Sequence, residues 1–364
     1  MLLYFAVLIA SVSLSAAALS YPALYRVRIT KSGKIAELKV RNILFALSFV
    51  PMFLTSAVRY KVGVDYNNYA WIFKAINQTN EKTHVEIGYE LLNRFIGWFT
   101  DNPEVLFVVT SAIIIFFFAR GILENSSCIP YSIFLFIALG YYFYSMNSIR
   151  HFMALSIYFF ALRYMKKQEF WKYLACILLA SAFHKVALVA IPLYFLFTRK
   201  FKMSYYAVIA IFLAIIAVFN KQILNFIFMF VYTSYKDSVY NVYTFSVFNI
   251  LLSGVCALLG LLYYHPLLEK DKTNLIFINA AVFMLLYYLF CGWIPTPTRI
   301  GQYGTIFFIL LIPEILSVEK NKKVKLFYFA GFAIFGLVFM IIMLLKSNDP
   351  TLQLLPYQTI FNHS

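Results

Sequence analysis

The 364-residue chain is 62% hydrophobic, 20% aromatic and only 13% charged, with a mean hydropathy of +0.78, whereas a soluble domain is about 45–50% apolar and 25% charged. This excludes a soluble globular enzyme and points to an all-α polytopic integral membrane protein, because the apolar runs are continuous rather than alternating as in a barrel. A net charge of +16 would suggest nucleic acid in a soluble chain, but here it is sorted between loops, and no nucleic-acid partner is expected.

In chain order, apolar stretches at 2–19, 43–57, 105–118, 131–146, 149–164, 170–183, 186–197, 203–219, 244–264, 275–292, 300–318 and 326–345 predict about twelve transmembrane helices. No Lys or Arg precedes Arg26, and strong positive charge follows the first helix. A cleaved signal peptide is therefore not expected, and the amino terminus should face out. With that orientation most Lys and Arg fall in the inside intervals, as short cytoplasmic loops require.

That count depends on 170–197, where His184 and Lys185 interrupt 28 residues that could cross once or twice. A single crossing erases the charge bias, so we expect a broken or re-entrant pair turning near His184 towards the outer face, each arm shorter than a perpendicular span of about 20 residues. Residues 221–232 are expected to form an interfacial helix on the outer side, followed by a loop at 233–243. Cys128, Cys176, Cys256 and Cys291 lie in or beside apolar runs without paired spacing, which gives neither a zinc site nor a disulfide framework. No soluble domain or repeat is visible, so residues 1–364 read as one membrane domain.

The longest strongly polar interval, a large outer loop at 59–103, opens with RYKVGVDYNNY at Arg59–Tyr69. Ionisable groups at membrane depth are costly enough to be functional candidates. Arg59, Arg150 in MNSIRH and Arg299 after WIPTPTR each stand at an outer helix end. An arginine fork gives paired hydrogen bonds to phosphate oxygens, as a diphosphate would need; the alternative is contact with headgroups or backbone carbonyls. Asn147 and Arg150, three apart, are expected in one helical turn.

His184, within SAFHKVAL, is either a packed core residue or a neutral imidazole able to take a proton. Asp65 competes for that role, the alternative being an ordinary cap of the helix that begins near Asn67. Tyr66 and Tyr69 beside Asp65 supply a carboxylate and aromatic rings of the kind sugars use, and Glu86 and Tyr89, three apart in VEIGYELL, are expected on one face of an amphipathic helix lying on or dipping into the membrane. Glu90 and Arg94 read as a structural i,i+4 pair. There is no phosphate-binding glycine loop, hydrolase elbow or HExxH metal site, so no cofactor and no metal are expected.

Arg59, the run Gly63-Val64-Asp65-Tyr66 with Tyr69, Glu86 with Tyr89, Asn147-Ser148-Ile149-Arg150, the Phe183-His184 turn, Arg299 and Pro356-Tyr357 together resemble the EpsG-like branch of the Wzy-type O-antigen and capsular polysaccharide polymerases. The likeness covers nearly the whole chain through short motifs in matching order; it departs at His151, where the family commonly shows glutamine. The resemblance implies a glycosyltransferase of the bacterial cytoplasmic membrane, active at its outer face. It would transfer an undecaprenyl-diphosphate-linked glycan onto another lipid-linked repeat unit, with membrane lipids and a chain-length regulator protein as further partners.

On this reading His184 or Asp65 is the base, Arg150 and Arg299 join the catalytic set, and Arg59, Tyr66, Tyr69, Glu86, Tyr89 and Asn147 bind substrate. Two other classes fit the composition. A lipid-linked oligosaccharide flippase should carry polar groups along its central helices, which are here almost free of charge. A membrane O-acetyltransferase would draw its acyl donor from the cytoplasm, on the side opposite to His184.

Overall fold

The computed structural model describes residues 1–24, 40–79, 81–200, 203–223, 246–293, 297–346 and 352–361. Among them the fold is almost wholly helical. The helices are α1 (Leu2–Leu24), α2 (Val50–Ala57), α3 (Tyr66–Lys74), α4 (Ile87–Gly97), α5 (Glu104–Asn125), α6 (Ile129–Ala138), α7 (Tyr141–Asn147), α8 (Ile149–Lys166) and α9 (Phe170–Ser181). There follow α10 (Ala190–Thr198), α11 (Met203–Val218), α12 (Val247–Leu262), α13 (Tyr264–Lys270), α14 (Leu275–Cys291), α15 (Pro297–Thr305), α16 (Phe308–Val318) and α17 (Lys322–Leu345). The only strands among the described residues, β1 (Arg59–Tyr60) and β2 (Gln358–Thr359), pair antiparallel with Arg59 opposite Thr359.

Six helical segments among the described residues are long and apolar enough to cross a membrane, or eight if each of two bent pairs is one span. This is fewer than the expected twelve. The stretch at 131–146 is bent by 51° between α6 and α7, at Gly140, whose φ of 84° an L side chain adopts with strain. The stretch at 244–264 ends at Leu262, and the chain turns by 72° into α13. Twelve-residue α9 reaches about 18 Å at 1.5 Å per residue, short of a hydrocarbon core of about 30 Å. The chain does break at Ala182–His184, between α9 and a 3₁₀ turn at Lys185–Val189. The expected helix at 221–232 and loop at 233–243 lie mostly outside the described residues.

Helix α8 is the axis of the bundle. It is buried on almost every face and packs against α5 and α9, which explains how it keeps Arg150, His151 and Arg163 among apolar neighbours: each polar head meets protein rather than lipid. The interval 59–103, expected as a large outer loop with helices beginning near Asn67 and around Glu86–Tyr89, forms β1, α3, a π-helical turn at Ala75–Thr79, and α4. Tyr66, Tyr69 and Tyr89 are buried within it. The carboxy-terminal segment straps this region down. Gly63 N–H donates to the Gln353 carbonyl at 2.9 Å and Ile360 N–H to Val58 at 3.0 Å, while the Tyr4 and Tyr357 hydroxyls donate to the carbonyls of Leu354 and Thr55 at 2.9 and 2.8 Å.

Candidate functional site

The starts of α3, α4, α8 and α15 and the break after α9 meet at one end of the bundle, and a single carboxylate joins three of them. Glu86 stands at the N-cap of α4 but makes no capping bond with its side chain. Its Oε2 accepts from Arg150 Nη1 at 2.6 Å. Its Oε1 lies 3.1 Å from His184 Nδ1 and accepts from the Lys185 backbone N–H at 3.3 Å. Burial pushes the Glu86 carboxyl up, but the His184 hydrogen bond and the charges of Arg150 and His184 outweigh it and hold the group down at about 2. Glu86 is therefore an anion at neutral pH. That assigns the proton on His184 to Nδ1, leaving a lone pair on Nε2, which is buried without a hydrogen-bond partner among the described residues.

Asp65 reaches the same place from α3. It occupies the N-cap position, yet its carboxylate makes no capping bond, so the capping alternative raised by the sequence does not account for it. The turn before it is fixed by Gly63, whose φ is 96° and whose missing Cβ would lie 3.0 Å from the Met146 carbonyl. The Asp65 backbone N–H donates to Asn147 Oδ1 at 3.1 Å. Burial raises the Asp65 carboxyl above its ordinary value, against the lowering charges of Arg299 and Arg150. The side chain is half-buried, which makes it the more accessible of the two proton acceptors.

Asn147 and Arg150 do not share a helical turn as expected. Asn147 ends α7, Ser148 breaks the helix with φ −94° and ψ 65°, and α8 begins at Ile149. The break turns Asn147 to Asp65 and Arg150 to Glu86. Arg150 also lies 6.0 Å from the centroid of the Tyr89 ring, which meets Tyr69 edge-on at 5.8 Å. Arg299 acts electrostatically on Asp65, Tyr69, His151 and His184.

Asp65, Glu86, Asn147, Arg150, His184 and Arg299 are thus brought together, with Tyr69 and Tyr89 packed behind them. Arg59 and Tyr66 turn elsewhere. Arg59 is almost fully buried; its guanidinium donates to the Ser56 carbonyl, to Ser111 Oγ at 3.3 Å and to the Met146 carbonyl at 3.2 Å, and lies 5.0 Å from the Phe107 ring. Tyr66 stacks on Phe107 with centroids 4.1 Å apart. Glu90 and Arg94 form the expected pair at 2.9 Å on the surface.

Gln302 and Gly88 were missed, and His151 entered only as a departure from the family pattern. His151 Nε2 lies 2.7 Å from Gln302 Oε1, and its ring meets His184 edge-on at 5.3 Å. Gln302 stands three residues after Arg299, a helical spacing that could have flagged it. Gly88 donates its N–H to the Ala182 carbonyl at 2.8 Å, holding α4 against the His184 turn; no signal in the sequence marks that contact.

A family model described as "EpsG family" matches residues 42–359. That range includes every residue of the cluster. No curated protein and no solved structure matches the chain.

Proposed function

The chain belongs to the EpsG family, and from that membership and the geometry of the cluster we propose that it is a bacterial polysaccharide polymerase. Its donor is a glycan on undecaprenyl diphosphate, its acceptor a second lipid-linked repeat unit, and its site opens at the outer face of the cytoplasmic membrane. The observation that carries this reading is a carboxylate released from helix capping, Asp65, under the charges of two arginines at one end of an apolar bundle.

Each residue then has a chemical part. The acceptor hydroxyl oxygen forms a bond to the anomeric carbon as the bond from that carbon to the phosphate oxygen breaks. The electron pair leaves with the diphosphate, and the acceptor proton passes to Asp65, whose raised basicity suits a general base. Arg150 and Arg299 meet the negative charge that builds on the leaving diphosphate, the kind of pre-oriented stabilisation that lowers a barrier most. Glu86 and His184 fix Arg150 from behind and keep its fork aimed. A second assignment, with His184 as the base, draws on the unpartnered Nε2.

The test is reconstitution in liposomes with a lipid-diphosphate-linked repeat unit and no soluble nucleotide sugar, with products resolved on a gel. The native protein should give a ladder of multiples. Asp65→Asn and Arg150→Ala should give none, while His184→Gln should keep a weakened ladder. A ladder from Asp65→Asn and none from His184→Gln would move the base to His184. A unit that stays monomeric and only changes leaflet would favour the flippase.

A further inference from the structure

At the other end of the bundle a groove of about 730 Å³ runs between the Val40–Ala57 span and α5. Its polar end holds Arg41, Arg120 and Glu124, and its apolar wall Phe45, Phe49 and Phe53. Both walls are candidate membrane spans, so the groove opens sideways at bilayer depth rather than to water. Its volume falls within the roughly 300–1,000 Å³ of ligand pockets in general.

Among the described residues the charge at this end is unbalanced. Glu124 pairs with Arg120 at 2.5 Å and also with Arg163, so one carboxylate serves two guanidinium groups. Arg41 has no carboxylate within ion-pair distance among the described residues, and its buried Nε has no hydrogen-bond partner among them. A basic head above an aromatic slot is complementary to an anionic phosphate carrying a hydrocarbon chain.

We propose that this groove binds an acidic glycerophospholipid of the surrounding leaflet, its phosphate on Arg41 and Arg120 and an acyl chain along Phe45, Phe49 and Phe53. A polyprenyl carrier in reaction is a poorer occupant. Arg41 and Arg59 stand at opposite ends of one span, roughly 25 Å apart at 1.5 Å per helical residue, so a diphosphate held at the Asp65 end cannot also reach Arg41. The proposal does not depend on the polymerase reading, because it concerns binding in the absence of substrate.

The experiment is native mass spectrometry of the full-length protein in detergent, with phosphatidylglycerol, phosphatidylcholine of the same chains, or undecaprenyl phosphate. Phosphatidylglycerol adducts should exceed phosphatidylcholine adducts by roughly tenfold to thirtyfold, the range expected of one to two basic groups at a headgroup, since Arg120 shares Glu124. The double variant Arg41→Gln, Arg120→Gln should bring the two to the same level. Ala112→Phe places a ring on the groove wall with all charges kept, so it should remove both adducts, and it carries the test if the charge variant does not fold. Equal retention of the two phospholipids by the native protein, an excess of phosphatidylglycerol that survives the charge variant, either adduct surviving Ala112→Phe, or displacement of phosphatidylglycerol by equimolar undecaprenyl phosphate would overturn the proposal.

Discussion

At position 150 arginine and lysine differ in shape rather than in charge. Arg150 gives Nη1 to Glu86 at 2.6 Å, and a planar fork held at one nitrogen still presents donors in fixed directions, which an ammonium on a flexible stem cannot reproduce. Arg150→Lys should therefore slow ladder formation by about tenfold to a hundredfold, the worth of one charge-assisted bond, and approach the Arg150→Ala result; a fully active lysine variant would refute the fork. Glu86 makes a separate prediction about pH. Its folded value of about 2 lies below its ordinary 4.5, so the ionised carboxylate stabilises the fold by an amount on the order of 3 kcal/mol. A depressed carboxylate contributes fully above the unfolded value and loses its contribution as pH falls through the folded one. The melting temperature of the native protein should accordingly exceed that of Glu86→Gln above about pH 4.5, and the gap should close towards pH 2; a constant gap would contradict it. Sequence spacing predicts Glu86 and Tyr89 on one helix face, whereas Glu86 stands just before α4 at its N-cap and its partners are 64 and 98 residues away. Only the docking of α4 on α8 and the α9 break decides them, and spacing carries no information about docking.

At the scale of elements, the contact that brings Glu86 to His184 is backbone on backbone. Gly88 approaches Ala182 so closely that a Cβ would meet its carbonyl oxygen at 2.8 Å and its Cβ at 2.9 Å. Neither atom is the end of a flexible side chain, so α4 must move out. Gly88→Ala should cost about 1–3 kcal/mol in stability by overpacking. It should also weaken the ladder more than its melting temperature alone accounts for, because the shift separates Glu86 from His184; a lower melting temperature with an undiminished ladder would show that the α4 contact serves only the fold. The positions of apolar elements were legible, since continuous hydropathy marks them wherever they occur. Their number as crossings was not. An apolar run buried in protein and one facing lipid read alike, so the bent stretch at Gly140 read as one straight span, whereas the short arms either side of His184 were expected and found. In the polar interval 59–103 the two helices were legible, near Asn67 and around Glu86–Tyr89, but the burial of their rings was not. Its helices are amphipathic and short, and polarity averaged over the interval hides the faces that bury Tyr66, Tyr69 and Tyr89.

Taken whole, the molecule has two ends of different character. One holds the Asp65–Glu86–Arg150 cluster and the carboxy-terminal strap. At the other, ion pairs tie helix ends together: Glu124 with Arg120 and Arg163, Lys166 with Asp271 at 4.0 Å, and Lys270 with Glu314 at 2.6 Å. Among the described residues that second end also carries Lys167, Arg199, Lys272 and the lysines at the start of α17, beyond what its carboxylates match. Excess Lys and Arg in short loops are retained on the cytoplasmic side, so this end should face in and the cluster out. The two-ended arrangement follows from contacts in the fold and owes nothing to the number of crossings, so the expected orientation can be tested even though fewer than twelve spans are seen among the described residues. It can be read directly with an impermeant thiol reagent on intact cells, in a chain whose four native cysteines are replaced by alanine. Asn68, exposed on α3, and Lys167, exposed after α8, stand at opposite ends. Asn68→Cys should label without permeabilisation and Lys167→Cys only after it. The reverse pattern would put the cluster in the cytoplasm, where a lipid-linked unit already delivered to the outer leaflet could not meet it.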